Sequence, residues 1–167
     1  MSEENTRGVV FIHAAPNAVS PHIEWAVGRA IGMAVNFDWR PQPLIRDSVR
    51  TEFTWFGPHG AGSLIASSLI GWRDVRFEIT EDGDAGDGGE RWIYTPTLGA
   101  FHIHVDDAGN YLVTENRLRA LMEDLSLDAR SLRDELDRTL GGPWDRELDT
   151  FRGVADGAPV TWLHSVG

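Results

Sequence analysis

The sequence predicts one α+β domain, in which helices cover an antiparallel sheet. Short apolar runs and segments of alternating apolar and polar residues predict strands, whereas apolar residues three and four positions apart predict amphipathic helices. Within residues 1–80 these segments follow one another in the order βαββαβ. The 167 residues, 41% of them hydrophobic, are enough to bury a sizeable core as a single domain.

The first strand and the first helix have distinct signals. Gly8–His13 is a short apolar run, which predicts a buried strand that the following Pro-Asn pair ends. Ser20 and Pro21 form an N-cap and first-turn pair that predicts the start of a helix, and Gly32 predicts its end. Apolar residues recur between them at helical spacing: Ile23, Val27, Ala30 and Ile31.

Three further strands and a second helix complete the first half of the chain. Alternation predicts strands over 35–39 and 49–55, a helical stripe predicts a helix over 63–72, and alternation predicts a last strand over 75–79. We expect the apolar face of that last strand to meet both helices. This order is that of the ferredoxin-like split-βαβ fold, in which two helices cover one face of a four-stranded sheet.

The rest of the chain is predicted to extend this unit. Residues 81–90 hold five acids, four glycines and no basic residue, a composition typical of a solvated loop. Residues 91–113 predict an extra strand pair, and residues 114–155 predict helices with leucine stripes. The final segment, 156–167, is interpreted as a tail.

Composition excludes several classes of chemistry. The chain has no cysteine, so disulfides, thiolate metal sites and thiol nucleophiles are absent, and all 15 basic residues are arginine, so Schiff-base and pyridoxal chemistry are absent too. We therefore expect no cofactor of those kinds. The net charge of −11 disfavours nucleic acid and anionic membranes as partners. The polar N-terminus and the lack of a long apolar run predict a cytoplasmic protein.

The FHIHVDD segment contains the most suggestive side chains. His102, His104 and Asp106 alternate with apolar residues, so a strand would project all three from one face. The segment is similar to the HxHxDH run of metallo-β-lactamase-like hydrolases. Asp107 replaces the last histidine of that run, and the only later histidine is His164. We therefore predict no metal site, and the alternative is a sheet surface that faces solvent or a partner.

A glycine-rich segment before the second helix is a weak candidate for ligand binding. The free N–H groups at a helix start can bind an anion such as phosphate. Ser63 stands where the lysine of a Walker A loop belongs, so a tight strand-to-helix turn is the alternative interpretation. The candidate residues are Gly57, His59, Gly60 and Gly62.

The seven tryptophans mostly occupy periodic apolar positions, which predicts core or interface roles. Trp39 is the exception, because it stands beside Arg40 and a proline-rich turn. We predict a ligand-binding role for both residues.

Several longer strings, taken together, resemble a known family. They are TRGVVFIHAAP, SPHIEWAVG, FDWRPQP, YTPTLGAFH, WDRELDTFR and GAPVTWLHSVG. In them the chain resembles the actinobacterial domain of unknown function family 3145. The resemblance implies an association with fatty-acid metabolism but no activity and no catalytic residues. An acidic carrier protein would need a basic patch, for which the available donors are Arg40, Arg46, Arg50, Arg73 and Arg76.

These observations favour a non-catalytic protein that binds a small ligand, or one that binds or regulates a protein. The alternative is an enzyme that uses His13, His102, His104 or Asp106 for acid–base or metal chemistry. A third hypothesis is an adaptor that docks through its helical C-terminal region. The partner hypotheses are a homodimer and a protein of fatty-acid metabolism.

Overall fold

The computed structural model describes residues 5–84 and 86–156 and confirms the α+β class. Seven antiparallel strands form one open sheet in the order β2-β3-β1-β4-β5-β6-β7. The elements are β1 (Asn5–Pro16), a 3-10 turn (Asn17–Val19), α1 (Ser20–Ile31), β2 (Arg40–Pro41), β3 (Ser48–Pro58), α2 (Ala61–Leu69), β4 (Arg76–Asp82), β5 (Gly89–Thr95), β6 (Gly99–Val105), β7 (Tyr111–Leu112), α3 (Glu115–Glu123), α4 (Ala129–Thr139) and α5 (Gly142–Asp156).

The larger core lies between the sheet and the first two helices. Pro21 stands in the first turn of α1, and Gly32 ends that helix with a φ of 75°, as its sequence predicts. Inward-facing residues of β1, β3 and β4 pack against α1 and α2, and their side chains are almost fully buried. The largest fully buried side chains of this core come from both the strands and the helices, and they are Trp55, Phe77, Ile12, Ile23, Ile65 and Leu69.

A smaller core lies on the opposite face of the sheet, under α5. Trp144 and Leu148 of α5 pack with Ile93 of β5, and Phe101 and Phe151 flank them. The indole Nε1 of Trp144 donates to the carbonyl oxygen of Gly99 at 2.9 Å, which holds the start of α5 against β6. The central strands are therefore covered on both faces, and side chains that alternation alone would expose become buried.

The strand predicted over 35–39 is wrong. Residues 33–39 have no regular structure. The strand that pairs with β3 on this side is limited to Arg40–Pro41. Glu24 of α1 explains the difference, because its Oε1 accepts from the Phe37 amide at 2.9 Å and from Trp39 Nε1 at 2.8 Å. The alternating apolar residues of this segment still pack against the larger core.

Other boundaries differ by a few residues. The acidic loop predicted over 81–90 is shorter, because β4 continues to Asp82 and β5 begins at Gly89. The predicted tail lies outside the described residues after Asp156. No helix in the described part of the chain is long and apolar enough to cross a membrane.

Candidate functional site

The face of the sheet under α5 carries an unusual set of charged residues. Phe11 of β1 pairs with Glu78 of β4, and both side chains point toward α5, since their neighbours face α1 and α2. The register of β1 shifts after Ile12, which makes His13 part of a β-bulge. Bulges redirect side chains and are common beside functional sites.

Glu78 is the centre of this charged set. Its side chain is 8% exposed, and its Oε1 accepts from Arg91 at 3.0 Å and from Arg152 of α5. Arg152 also contacts Asp145 at 2.9 Å and Asp149 at 3.0 Å. Burial lowers the pKa of Arg152 to about 10, so its guanidinium still carries a charge at neutral pH. Glu78 is thus a buried carboxylate held by two arginines.

His13 lies next to Glu78 and is neutral. Burial, followed by the positive charges of Arg152 and Arg91, lowers the pKa of His13 from 6.5 to about 3, against a smaller opposite effect of Glu52. The His13 side chain is 9% exposed, and its Nε2 lies 3.2 Å from Glu78 Oε2. The two atoms are not in hydrogen-bonding geometry, so Nε2 is buried without a hydrogen-bond partner.

A cavity of about 290 Å³ opens beside His13, between the sheet and the C-terminal half of α5. We call it the His13 cavity. A second buried nitrogen in it, Nε of Arg50, also lacks a hydrogen-bond partner. Arg50 forms no ion pair with any residue that the structure describes. The cavity is lined by Phe11, Ile12, His13, Arg50, Thr51, Glu52, Glu78, Phe151 and Arg152.

The histidines of β6 form a different arrangement. His102 and His104 share one face of the strand, as alternation predicts, and both contact Glu90 of β5. Nδ1 of His104 lies 2.6 Å from Glu90 Oε1, and the His102 ring stacks on Trp92 at 5.1 Å. The two imidazoles lie 47% and 60% exposed at the surface of the sheet.

Asp106 does not join these histidines in the structure. It follows the end of β6, and its carboxylate accepts from the Ala108 and Asn110 amides at 2.9 and 2.8 Å. These hydrogen bonds, with one from the Asn110 side chain, lower the pKa of Asp106. The carboxylate therefore stabilises its own turn. Within the described residues no group of three or more histidines and acids has the arrangement of a metal site.

The amides at the start of α2 already have an acceptor. Glu81 of β4 accepts from the Gly60 amide at 2.6 Å and from the Gly62 amide at 2.7 Å, in the position that an anionic ligand would take. His59 lies beside them, 3.8 Å from Glu81 and 3.2 Å from Asp84. The protein thus supplies its own carboxylate to this helix N-terminus.

The remaining predicted residues lie apart from the His13 cavity. Gly57 packs closely on Ile31 of α1, which leaves little room for a side chain. Trp39 is half-buried against the larger core, with its Nε1 hydrogen-bonded to Glu24, and Arg40 pairs with Asp38 at the surface.

The proposed basic patch contains arginines with different partners. Arg40 pairs with Asp38, Arg46 lies 3.5 Å from Asp47, and Arg76 lies 3.3 Å from Glu147. In each of these pairs an acid of the chain offsets the positive charge. The other two members are Arg50, which lines the His13 cavity, and Arg73, which is exposed.

Sequence reasoning missed Glu78 and Arg152 beside His13, and it named Arg50 only as a possible member of a basic patch. Glu78 and Arg76 alternate with apolar residues and therefore look like the solvent side of an amphipathic strand. Arg152 lies 74 positions from its partner Glu78. The bulge at His13 leaves no signal in the apolar run of β1, so the sequence offers no local sign that these groups meet.

Comparison with known proteins finds one family. The model of the family described as "Protein of unknown function (DUF3145)" matches residues 9–165, nearly the whole chain. This confirms the resemblance noted from the sequence. No curated protein and no solved structure matches the chain.

Proposed function

From the premise that the chain belongs to DUF3145, a family described only as proteins of unknown function, we propose that it is a non-catalytic protein that binds a small ligand in the His13 cavity. One observation carries the proposal: the cavity contains two buried nitrogens, His13 Nε2 and Arg50 Nε, without hydrogen-bond partners. Buried polar atoms are nearly always paired, so such atoms beside a cavity need an explanation. A bound ligand supplies it.

The unpaired nitrogens indicate the chemistry of that ligand. Arg50 Nε is always a donor, and an unsatisfied buried donor costs about 1–3 kcal/mol, which an oxygen acceptor of a ligand would offset. The charge of Glu78 is balanced by Arg91 and Arg152, whereas Arg50 has no counter-ion among the described residues. A carboxylate matches the planar fork of a guanidinium and forms charge-assisted hydrogen bonds with it. We therefore favour a small carboxylate as the ligand.

The remaining wall of the cavity suits an apolar group. Phe11 and Phe151 lie on it, and the Phe151 ring is held by Arg76, whose guanidinium lies 5.0 Å from the ring centre. Sites for small molecules combine apolar walls with a few placed polar groups in this way. The volume of 290 Å³ corresponds to about ten water molecules, so the ligand is small.

The His13, Glu78 and Thr51 side chains favour binding over catalysis. A general base works best with a pKa near the operating pH, whereas the pKa of His13 is about 3. Glu78 is held by two arginines, and the Thr51 hydroxyl donates to the Asp38 carbonyl oxygen at 3.0 Å, so neither is free to act as a base or nucleophile.

The test is thermal unfolding of the pure protein with benzoate and hexanoate as probes, and with benzamide as the uncharged comparison. A probe at 100 times its dissociation constant adds about 2.7 kcal/mol, which raises the midpoint by several degrees in a domain of this size. We expect the two carboxylates to raise the midpoint of the native protein more than benzamide does. Unchanged midpoints with all three probes would contradict the proposal.

The matched variants are Arg50→Gln and Arg46→Gln. Both remove one guanidinium from the same region of the chain, but Arg46 is exposed and lies outside the cavity. We expect the carboxylate response to disappear in Arg50→Gln and to persist in Arg46→Gln. Equal responses in the two variants would place the carboxylate elsewhere on the protein.

We also propose that residues 5–82 form a ferredoxin-like unit. The order β2-β3-β1-β4 of its antiparallel strands supports this, as do the two helices packed on one face. A solved structure of another family member that superimposes on this unit would test the assignment.

A further inference from the structure

A second cavity, of about 470 Å³, lies at the other end of the sheet, beside β6 and β7. The helix α3 borders it with Arg117, and α4 borders it with Arg138 and Thr139. We call it the arginine groove. Its polar and aromatic lining consists of Phe101, His102, His104, Thr114, Arg117, Arg138, Thr139 and Trp144.

The charge of the arginine groove is opposite to that of the chain. The protein has 26 acidic residues and a net charge of −11, yet no acid is among the residues that line the groove in the described structure. Neighbouring arginines are neutralised, since Arg119 contacts Glu115 at 2.5 Å and Arg146 contacts Asp137 at 2.7 Å. Arg117 and Arg138, in contrast, form no ion pair with any described residue.

The positions of both arginines are set by the local structure. The Thr114 side chain caps α3 by accepting from the Arg117 amide at 3.4 Å, so Arg117 lies in the first turn of that helix. Arg138 lies in the last turn of α4, with its guanidinium 5.6 Å from the ring centre of Trp144. The aromatic ring orients the guanidinium without neutralising it.

The two histidines add hydrogen-bonding groups to the same groove. His102 contacts Glu90 through Nε2 and His104 contacts Glu90 through Nδ1, so Glu90 fixes both rings from the side of β5. The opposite nitrogen of each ring is not used in these contacts. Both histidines line the groove, and its two guanidiniums have no counter-ion in the described structure.

We infer that the arginine groove binds a small organic phosphate. Two guanidiniums match the roughly two negative charges of a phosphate monoester, and each can form a two-pronged hydrogen bond to its oxygens. The volume of 470 Å³ exceeds the need of a phosphate group alone, and apolar residues such as Leu112 and Ile103 line the remainder. This inference does not depend on the His13 cavity, because the two cavities share no lining residue.

The test is titration of the pure protein with phenyl phosphate, followed by calorimetry or amide NMR shifts, with benzoate as the comparison of similar size. We expect phenyl phosphate to bind more tightly than benzoate at the groove and to shift the amides around Arg117 and Arg138. Binding should weaken as salt is added, because the attraction is between charges. No binding of phenyl phosphate to the native protein would overturn the inference.

Three variants locate the binding. Arg117→Gln and Arg138→Gln each remove a groove charge, whereas Arg133→Gln removes an exposed charge of α4 outside the lining. We expect at least about tenfold weaker binding in the two groove variants, as for loss of a charged hydrogen bond, and native binding in Arg133→Gln.

Two further readouts keep the outcomes distinct. Arg138→Lys retains the positive charge and should bind phenyl phosphate more tightly than Arg138→Gln does. If the loss in Arg138→Gln came from misfolding, restoring the charge would not restore affinity. Arg50→Gln should bind phenyl phosphate normally, so that failure at the His13 cavity and failure at the groove are separable. Equal weakening in all arginine variants, Arg133→Gln included, would indicate non-specific attraction and overturn the inference.

Discussion

The Nε2 atom of His13 lies 3.2 Å from Oε2 of Glu78, yet the two do not form a hydrogen bond. The same carboxylate forms ion pairs with Arg91 and Arg152. Burial and the same two arginines lower the pKa of His13 to about 3. The site therefore contains a neutral histidine beside a charge-balanced carboxylate, with Arg50 nearby.

Stability should depend on pH through His13. The pKa is 6.5 in the unfolded chain and about 3 in the folded one, so between these values the unfolded state binds more protons. The free energy of unfolding should therefore fall as pH decreases from 7 to 5, with a slope approaching about 1.4 kcal/mol per unit from this residue. Urea unfolding at pH 7, 6 and 5 measures the slope.

His13→Gln and His22→Gln separate this contribution from other titrations. His22 is exposed, so its removal should leave the slope as in the native protein. His13→Gln should flatten it between pH 7 and 5. A native slope in His13→Gln would show that the buried imidazole is not the source.

Replacement of Glu78 should be severely destabilising. Glu78→Gln removes the charge that Arg91 and Arg152 share while keeping the shape of the side chain. Loss of one partner of a buried ion pair costs up to about 3–5 kcal/mol, and the loss should lie toward the lower end of that range because Asp145 and Asp149 still pair with Arg152. Asp82→Asn is the matched control, since its pair with Arg7 is exposed and should contribute less than about 1 kcal/mol. Chemical unfolding measures both, and similar losses would contradict the central role of Glu78.

Gly62 should not tolerate a side chain. A Cβ atom there would lie 2.7 Å from the Trp92 ring and 2.8 Å from Glu81 Oε2, which accepts the Gly62 amide. Overpacking of this kind costs about 1–3 kcal/mol, so Gly62→Ala should lower the unfolding midpoint. Ser63→Ala, at the next and exposed position of α2, should leave it nearly unchanged. An unshifted midpoint in Gly62→Ala would show that Trp92 and Glu81 move aside easily.

Glu24 should hold the irregular segment after α1. Its Oε1 accepts from the Phe37 amide and from Trp39 Nε1, and hydrogen bonds to a charged group contribute about 1.5–3 kcal/mol. Glu24→Ala should lose stability in that range and change the fluorescence of Trp39. Glu123→Ala removes an exposed carboxylate of α3 and serves as the control. Native stability in Glu24→Ala would contradict this role of the carboxylate.

Local sequence patterns correctly predicted the features that residues close in sequence determine, such as the bounds of α1 and the face on which a strand side chain lies. The bounds of α1 follow from Pro21, the apolar stripe and Gly32, because caps and periodicity act within a few residues. The pairing of His102 and His104 on one face follows from strand alternation. The failure over 35–39 has a tertiary cause, since Glu24 accepts from the Phe37 backbone amide, a donor that a strand would have used, and also binds the Trp39 indole.

The sequence by itself determined the α+β class, the family and the classes of chemistry that need cysteine or lysine. These depend on composition, periodicity and motif strings, which can be read without knowing the contacts. Only the tertiary structure decided which side chains share a site. Alternation separates the two faces of a strand but does not show that a later helix covers the polar one, and Glu78 meets Arg152 of α5 across 74 positions of sequence. Both candidate cavities arise in this way, from the packing of late helices against earlier strands.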